Sequence, residues 1–547
     1  MPEPAPSDVD RRARLGRPVL PLWAAPLAAA VGGPILDLAF PSVGIWPLAF
    51  VGIALALVGL IGRGSWSALL VGLVFGASFY FTHIVWITRY LGPIPWFGLA
   101  GIETVFWGLG SILIALGYRW LPRVLPAVWA RLTLLPLLIA GIWTAREVFM
   151  GSWPYTGFPW GRMGMSQSES PLAHVASWIG VTGLTFLMIA FTAAVIELFR
   201  TRQYRLHRLR DVRAYVPAAV LAALLMLTPQ FATTASGSMR VGSVQGNGPS
   251  GYFDDRARNA VLQAQLEATA PLLGEDMDVL LWPEGGIDSD PTHNADTARV
   301  LDRLAATIDA PLIVNAATTR GEDVFNTSML WEPGADNPVQ VHDKRKPVPM
   351  GEYVPDRWFF EAIVPDLIGL IQREYTPGTN APVFDVDGTP IGLAICFDVL
   401  YDDVIWEGAR EGAQVYMFQT NNADFRDTDE NLQQLAFARM RAIETGRSVV
   451  NISTVGTSQV IAPDGMTIDE LPEGKPGAML TDVPLRTGLT PAVLLGPVVN
   501  ALALWAGFGM LVVVGIAARV RRAQATSRHT HPHNSGDLHN SGATRRR

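Results

Sequence analysis

Eight apolar stretches constrain the fold of this chain more than any other feature of its sequence. A helix needs about 20 apolar residues to cross the hydrocarbon core of a bilayer. Seven such stretches precede a globular segment and one follows it, at roughly 19–40, 44–62, 66–87, 97–118, 132–150, 172–198, 214–232 and 491–518. We therefore predict a polytopic α-helical membrane domain of eight transmembrane helices, with seven helices in residues 19–232 and the eighth in 491–518.

The composition supports a membrane location over the alternative, which is a set of long helices buried in a soluble protein. Hydrophobic residues make up 49% of the chain and charged residues 17%, and the mean hydropathy is +0.24. An ordinary soluble domain is less apolar and more highly charged. The first apolar stretch leads directly into the second without a clear cleavage site, which argues against a removed signal peptide.

Arginine residues are concentrated in alternate gaps between the apolar stretches, and cytoplasmic loops carry such an excess. The rich gaps contain Arg11, Arg12, Arg14 and Arg17, then Arg63, then Arg119, Arg123 and Arg131, then Arg200, Arg202, Arg205, Arg208, Arg210 and Arg213, and finally Arg519, Arg521 and Arg522. The intervening gaps hold mainly Arg89, Arg146 and Arg162. We predict a cytoplasmic N-terminus (1–18), a cytoplasmic disordered tail (519–547) and an extracytoplasmic globular domain (238–486).

The sequence gives no sign of a cofactor, a metal or nucleic acid. There is no P-loop and no G-x-G-x-x-G following a strand. The histidines of "HTHPHNSGDLHNSG" near the C-terminus lack ligand spacing, so we interpret them as part of the polar tail. The arginine-rich gaps fit cytoplasmic loops better than a nucleic-acid surface.

The globular segment alternates strand-like and helix-like stretches, which is typical of an α/β fold with helices covering its sheets. Strands are predicted at 239–245, 278–283, 311–316, 327–331, 339–343, 391–396, 415–419, 448–454 and 457–462, and helices at 254–272, 296–309, 400–411 and 428–445. Catalytic groups in such folds lie at strand ends and in the loops that follow them.

Three motifs place chemically active residues at predicted strand ends. "VLLWPEGG" ends in Glu284, "HDKRKPVPMGEYVP" contains Lys344 and Glu352, and "IGLAICFD" ends a strand at Cys396. Each motif alone is weak, because a glutamate after a strand is commonly a surface group and a lysine among basic residues is commonly solvated. Cys396 is the single cysteine of the chain, so the outer domain has no internal disulfide. A lone cysteine is either a small buried residue or a nucleophile.

Taken together, these motifs resemble the Glu–Lys–Cys set of the nitrilase, or carbon–nitrogen hydrolase, superfamily. The form "KRKPVPMGEYVP", joined to a polytopic membrane domain, is similar to the apolipoprotein N-acyltransferase family in particular. The stretch "RMRAIETGRSVVNISTVGTS" (439–458) strengthens the resemblance. The resemblance implies an αββα sandwich for the globular domain.

The resemblance also implies roles for individual residues. Glu284 would be the general base, Cys396 the nucleophile and Lys344 the oxyanion donor. The backbone N–H of Phe397 would help Lys344, and Glu352 would hold the lysine.

The sequence departs from the family pattern in three places. Asp398 stands where close relatives often have glutamate, "TNNADF" (420–425) lacks a tryptophan, and a family aromatic residue is matched loosely by Tyr252 or Phe253. We expect these departures to concern substrate fit, apart from Asp398, whose role the sequence leaves open.

A nucleophilic cysteine needs help from its neighbours, because a free thiol has a pKa near 8.5 and is little ionised at neutral pH. An adjacent ammonium group and a carboxylate base are expected to provide that help. An apolar segment, 353–375, contains the candidate substrate-binding residues Tyr353, Trp358, Phe359 and Phe360. We favour an arm over the membrane that guides acyl chains, and the alternative is a core helix.

By this resemblance, the protein would lie in a bacterial plasma (inner) membrane with its catalytic domain on the extracytoplasmic face. It would move a fatty acyl group from a phospholipid, through a Cys396 thioester, to the α-amino group of the diacylglyceryl-modified N-terminal cysteine of a lipoprotein. This transfer would be the last step of lipoprotein maturation. Two alternatives remain at this stage: a membrane-bound nitrilase-like amidase acting on a small amide, and a non-enzymatic scaffold or transporter with an inactive domain.

Overall fold

A bundle of apolar helices forms the first part of the computed structural model, which describes residues 15–204, 206–207 and 210–530. The helices of this part are α1 (Ala24–Asp37), α2 (Leu48–Leu60), α3 (Ser65–His83), α4 (Thr88–Leu91), α5 (Pro93–Val124), α6 (Val128–Leu132), α7 (Leu134–Met150), α8 (Ala176–Gln203) and α9 (Val216–Leu227). Helix α3 packs against α1 and α5, and α7 packs against α8.

The eight predicted spans are all helical, but only five of the helices described here are long and apolar enough to cross a membrane. These five comprise Ser65–His83, Pro93–Val124, Val128–Met150, Pro171–Gln203 and Pro491–Gln524. The other three, α1, α2 and α9, have 14, 13 and 12 residues. At 1.5 Å per residue they extend only about 20 Å. Eight full spans are therefore not confirmed.

Twelve strands form two six-stranded sheets in the globular part. They are β1 (Thr234–Gln245), β2 (Val279–Leu281), β3 (Leu312–Arg320), β4 (Asp323–Trp331), β5 (Gln340–Asp343), β6 (Val383–Val386), β7 (Thr389–Ile395), β8 (Val415–Thr420), β9 (Ser448–Ser453), β10 (Ser458–Ile461), β11 (Thr467–Leu471) and β12 (Gly477–Thr487). The sheet orders are β12-β1-β2-β3-β4-β5 and β11-β10-β9-β8-β7-β6. The central pairs β1–β2, β2–β3, β7–β8 and β8–β9 are parallel, and the others are antiparallel.

The two sheets pack face to face around an apolar layer. Val241, Leu281 and Ile313 of the first sheet are buried with Leu393 and Val450 of the second. Helices α10 (Ala260–Thr269) and α11 (Ala295–Ile308) pack on the outer face of the first sheet. Helices α14 (Asp402–Arg410) and α15 (Glu430–Thr445) cover the second. The order of layers is α, β, β, α, as the resemblance implies.

Helices α14 and α15 also pack on the apolar helices of residues 24–227, which we call the membrane part. Their buried residues, such as Ile405 and Phe437, belong to the same apolar cluster as Trp160 and Val181. The last helix, α16 (Pro491–Thr530), returns from the globular part and packs against α7. A Cβ added to Gly507 would lie 2.3 Å from the carbonyl oxygen of Gly141, so this close helix crossing requires small residues.

The structure corrects several predicted boundaries. The nine predicted strands are present, and β6, β11 and β12 are additional. The helix predicted at 254–272 begins only at Ala260, after Asn259 with a φ of 60°. Helix α16 continues to Thr530, so residues 519–530 are helical and not part of a disordered tail. The remaining tail and most of the predicted N-terminal segment lie outside the described residues.

The segment 353–375 forms two short helices, α12 (Arg357–Ile363) and α13 (Pro365–Ile368). Helix α12 has no buried residue, which does not fit a core helix. The remainder of the segment is anchored, because Ile368 and Ile371 are buried with Leu91 of the membrane part. We call residues 353–375 the arm.

Candidate active site

Cys396 lies where β7 ends and a short 3₁₀ turn begins, Cys396–Leu400. Its φ is 50°, in the left-handed region that non-glycine residues rarely adopt. Residues held in such conformations cluster at functional sites. The side chain is partly exposed. The turn therefore places Cys396 at the end of β7, outside the apolar layer between the two sheets.

Lys344 brings two carboxylates together next to the cysteine. Its Nζ lies 3.1 Å from Oε1 of Glu284 and 2.8 Å from Oε1 of Glu352. Glu284 follows β2 and Lys344 follows β5, so both come from the first sheet, whereas Cys396 comes from the second. Oε2 of Glu352 accepts a hydrogen bond of 2.7 Å from the backbone N–H of Val348. The structure thus joins Glu284, Lys344 and Glu352 through hydrogen bonds, and the charges of all three act on Cys396.

Burial and neighbouring charges have opposite effects on the pKa values of Lys344 and Glu284. Burial lowers the pKa of Lys344, but Glu284 and Glu352 outweigh that effect and hold the pKa of the ammonium group well above its ordinary value. Burial raises the pKa of Glu284, although Lys344 opposes the rise. A charged lysine beside a carboxylate of raised pKa is suited to stabilise an anion while the carboxylate exchanges protons.

The pKa of the Cys396 thiol differs from the expectation based on the sequence. Burial raises the pKa of Cys396 well above its ordinary value, Glu284 adds to the rise, and Lys344 lowers it. The lysine alone therefore does not produce a resting thiolate.

Asp398 has a definite structural position, which the sequence left open. Its carboxylate accepts backbone N–H bonds from Lys346 at 2.8 Å, from Arg345 at 3.3 Å and from Ile395 at 3.3 Å. The cysteine turn is therefore tied to the lysine loop. Burial raises the pKa of Asp398 to about 6, and Lys344 opposes the rise. The shorter side chain reaches these N–H groups directly.

Three amide side chains of the site were missed by the sequence analysis. Asn326 of β4 donates to Oε1 of Glu284 at 2.7 Å and to Oε1 of Glu352 at 3.4 Å. Gln434 of α15 donates to Sγ of Cys396 at 3.4 Å, and Asn422 donates to Oε1 of Gln434 at 2.9 Å. Asn422 lies in the "TNNADF" segment, whose departure from the family pattern was the one available signal.

The predicted substrate-binding aromatic residues fall into two groups beside the membrane part. The rings of Tyr252 and Phe253 each have their centroid 5.9 Å from that of Tyr90, which belongs to α4. In the arm, Trp358 is 76% exposed and Phe359 is 44% exposed. Phe360 and Tyr353 are half-buried. These side chains form no contact with Cys396 that would assign them a role.

A wall of the site comes from the membrane part. The ring of Phe397 stacks on Phe158 at a centroid distance of 6.4 Å. Phe158 in turn stacks on Trp160 at 5.8 Å. The residue after the cysteine is thus held against the membrane part. Within the described residues, no group of three or more His, Cys, Asp or Glu side chains could hold a metal ion.

Comparisons with known proteins match both parts of the chain. Residues 240–488 match the carbon–nitrogen hydrolase family model, and residues 32–194 match that of the apolipoprotein N-acyltransferase N-terminal domain. An apolipoprotein N-acyltransferase of Mycolicibacterium smegmatis is 34% identical, covering 92% of this chain and 87% of that protein. One of Azotobacter vinelandii is 28% identical, covering 86% of this chain and 91% of that protein.

Two solved structures resemble the globular part. An amidase from Nesterenkonia sp. is 19% identical, with a TM-score of 0.35, over 46% of this chain and 93% of its own. Saccharomyces cerevisiae Nit3, a member of branch 10 of the nitrilase superfamily, is 17% identical, with a TM-score of 0.36, over 46% of this chain and 93% of its own.

The αββα layers and the match of residues 240–488 define the globular part as a carbon–nitrogen hydrolase domain. The agreement with the relatives extends through the apolar helices as well. The chain belongs to the apolipoprotein N-acyltransferase family, and the enzyme is an N-acyltransferase of the carbon–nitrogen hydrolase superfamily.

Proposed function

We propose that Glu284, Lys344 and Cys396 form the catalytic triad of a two-step acyl transfer from a phospholipid to a lipoprotein. The acceptor is the α-amino group of a diacylglyceryl-modified N-terminal cysteine, and the reaction completes lipoprotein maturation. The observation that carries the proposal is the contact of Lys344 with both carboxylates at the strand end facing Cys396. This chemistry requires a carboxylate that acts as a base and a cation that stabilises the oxyanion, and the contact brings both groups together.

In the first step, Glu284 takes the proton from Sγ of Cys396, and the sulfur attacks the ester carbonyl carbon of the phospholipid. The tetrahedral oxyanion that forms accepts hydrogen bonds from Lys344 and from the backbone N–H of Phe397. Collapse breaks the ester C–O bond, and the leaving lysophospholipid oxygen takes the proton from Glu284. The acyl group remains on Cys396 as a thioester.

In the second step, the lipoprotein amine attacks the thioester carbonyl carbon and gives a proton to Glu284. The same donors stabilise the second oxyanion. Collapse breaks the C–S bond, forms the amide and returns the proton from Glu284 to the sulfur. Each residue thus acts twice, with no net change in the enzyme.

Lipid substrates are supported by the position of the site against the membrane part. The stacked rings of Phe397 and Phe158 join the cysteine turn to that part, and the exposed aromatic residues of the arm are suited to acyl chains. Tyr252 and Phe253 lie beside Tyr90 and are the second candidate contact for lipid. In this proposal the helices lie in a bacterial plasma membrane and the domain lies on its extracytoplasmic face.

The alternative activity is hydrolysis of a small amide, and one experiment separates the two. Purified full-length enzyme is given a phospholipid and a diacylglyceryl-cysteine peptide, and separately a small aliphatic amide. We expect mass spectrometry to detect N-acylated peptide, and we expect no ammonia from the amide. Ammonia release without peptide acylation would contradict the proposal. The Cys396→Ala variant provides the blank for both assays.

A further inference from the structure

A side chain of α15 donates a hydrogen bond to the sulfur of Cys396. Nε2 of Gln434 lies 3.4 Å from Sγ of Cys396. Gln434 belongs to α15 and is 3% exposed. Its neighbours decide whether its amide nitrogen or its oxygen points at the sulfur, because the two ends of an amide have nearly the same shape.

A chain of hydrogen bonds fixes the orientation of that amide. The backbone N–H of Gly456 donates to Oγ of Ser453 at 2.9 Å, which leaves the hydroxyl hydrogen free to donate to Oδ1 of Asn422 at 2.6 Å. Nδ2 of Asn422 must then face Gln434, where it donates to Oε1 at 2.9 Å. Nε2 of Gln434 is consequently directed at Cys396.

Asn422 has a further acceptor that supports this orientation. Its Nδ2 donates to Oε2 of Glu430 at 2.7 Å. Glu430 is a carboxylate side chain and begins α15, one turn before Gln434. An Asn422 turned the other way would place its oxygen against Oε1 of Gln434, which cannot donate, so the observed orientation is the favoured one.

The membrane part fixes the helix that carries Gln434. The adjacent residue, Gln433, accepts at Oε1 from Nε1 of Trp86 at 3.1 Å and from Nε1 of Trp160 at 2.6 Å. Its own Nε2 donates to the carbonyl oxygen of His83 at 3.2 Å. Gln433 is buried. Two tryptophans of the helical part therefore hold α15 next to the position from which Gln434 reaches the sulfur.

We propose that Gln434 is a catalytic residue that donates a hydrogen bond to the Cys396 sulfur and stabilises its thiolate. Such a donor would act when the thiolate forms and again when the thioester breaks and releases the thiolate. The inference rests on the proposed function, because that function includes both steps. It also means that the membrane part contributes to catalysis through Trp86, Trp160 and Gln433, and not only by bringing lipid to the site.

The charged groups that act on the thiol belong to several elements. Lys344 favours the thiolate, whereas Glu284, Glu352 and Glu430 disfavour it. Gln434 is uncharged, so replacing it leaves these charges in place. A change in the titration of the thiol after such a replacement therefore reports the lost donor.

The experiment measures alkylation of the chain's single cysteine by iodoacetamide as a function of pH in the purified full-length protein. Gln434→Met keeps the length of the side chain and removes the donor. We expect the inflection of the alkylation profile to move upward by about one pH unit, with about tenfold slower alkylation at a fixed pH below it. Gln434→Asn, which keeps the amide, is expected to restore part of the rate. Gln263→Met, on the exposed face of α10, is the matched control.

An unchanged profile for a folded Gln434→Met protein would overturn the proposal. If that variant does not fold, Gln434→Leu serves instead, because it is also uncharged and has no donor. It is expected to move the inflection upward by a similar amount, and an unmoved inflection would also overturn the proposal. Alkylation does not depend on acyl transfer, so this result is separate from the fate of the proposed function.

Discussion

At the scale of single residues, the proposed mechanism requires proton transfer through Glu284. The raised pKa of Cys396 leaves the thiol protonated at rest. Glu284→Gln removes the base and should slow formation of the acyl-enzyme by about 10²–10⁴-fold. Single-turnover mass spectrometry with phospholipid alone measures this rate. Glu322→Gln, at an exposed position, should not change it, and an unimpaired Glu284→Gln enzyme would refute the assigned base.

We expect Lys344 to affect the rate of acylation about as much as Glu284, because it stabilises the oxyanion. Lys344→Met removes an oxyanion donor and should slow acylation by about 10²–10³-fold. It also leaves Glu284 and Glu352 buried without their cation, which is destabilising. The thermal midpoint must therefore be measured alongside the rate. A folded variant with normal acylation would remove Lys344 from the mechanism.

Glu430 provides a test based on pH. Burial raises its pKa from 4.5 to about 8, and the hydrogen bond from Asn422 opposes the rise. The folded state thus binds more protons than the unfolded state between these values. The stability contribution is complete below about pH 4.5 and is lost as pH rises through about 8. Glu430→Gln, which cannot ionise, should have a flatter dependence of thermal midpoint on pH from 5 to 9. Parallel curves would contradict this.

Sequence reasoning predicted the ionisable residues of the candidate site and missed its amides. Glu284, Lys344, Glu352 and Cys396 each follow a recognisable strand and lie in a motif. Asn326, Asn422 and Gln434 come from a strand, a loop and a helix far apart in the chain. Their roles depend on hydrogen bonds to residues far away in the sequence, and a local sequence pattern does not predict such contacts.

At the scale of elements, the arm offers the clearest contrast between contact with lipid and burial in a core. Changing the exposed Trp358 and Phe359 together to Ser should weaken use of phospholipid and leave the thermal midpoint nearly unchanged. Phe360 is left in place because it packs against the buried part of the arm. The matched control is Ile371→Ala in that buried part, which should cost about 2–5 kcal/mol. A large loss of stability in the double variant would support the core-helix alternative.

The predicted and observed elements differ most where burial is weakest. Strands β6 and β11 lie at the edges of the second sheet, and β11 is largely exposed, so neither has the apolar run that marks a central strand. Strand β12 contains Pro484, Asp482 and Arg486. The short helices α1, α2 and α9 are apolar, and the ends of such helices cannot be located from hydropathy alone.

At the scale of the whole molecule, orientation in the membrane is the main prediction. Arg17, Arg119, Arg123 and Arg131 line one cavity, at the end of the bundle where α7 begins. The other end of α7 leads to Tyr155, whose hydroxyl donates to Asp356 of the arm at 2.8 Å. The arginines and the catalytic domain thus lie at opposite ends of α7. From the positive-inside rule we therefore predict an extracytoplasmic catalytic domain.

Single cysteines in a Cys396→Ala background test this orientation. Asn337 is exposed in the catalytic domain and Gln203 is exposed at the end of α8. In intact cells, a membrane-impermeant thiol reagent should label Asn337→Cys. It should label Gln203→Cys only after the membrane is permeabilised. The reverse pattern would invert the topology.

The central claim is that Cys396 carries the acyl group, and mass spectrometry of the enzyme after incubation with phospholipid alone tests it most directly. We expect the mass of one acyl chain on the peptide containing Cys396, removable by neutral hydroxylamine. A diacylglyceryl-cysteine peptide should then discharge it and form an amide, and Cys396→Ala should do neither. Transfer retained by Cys396→Ala, or an acyl group found on another residue, would contradict the account.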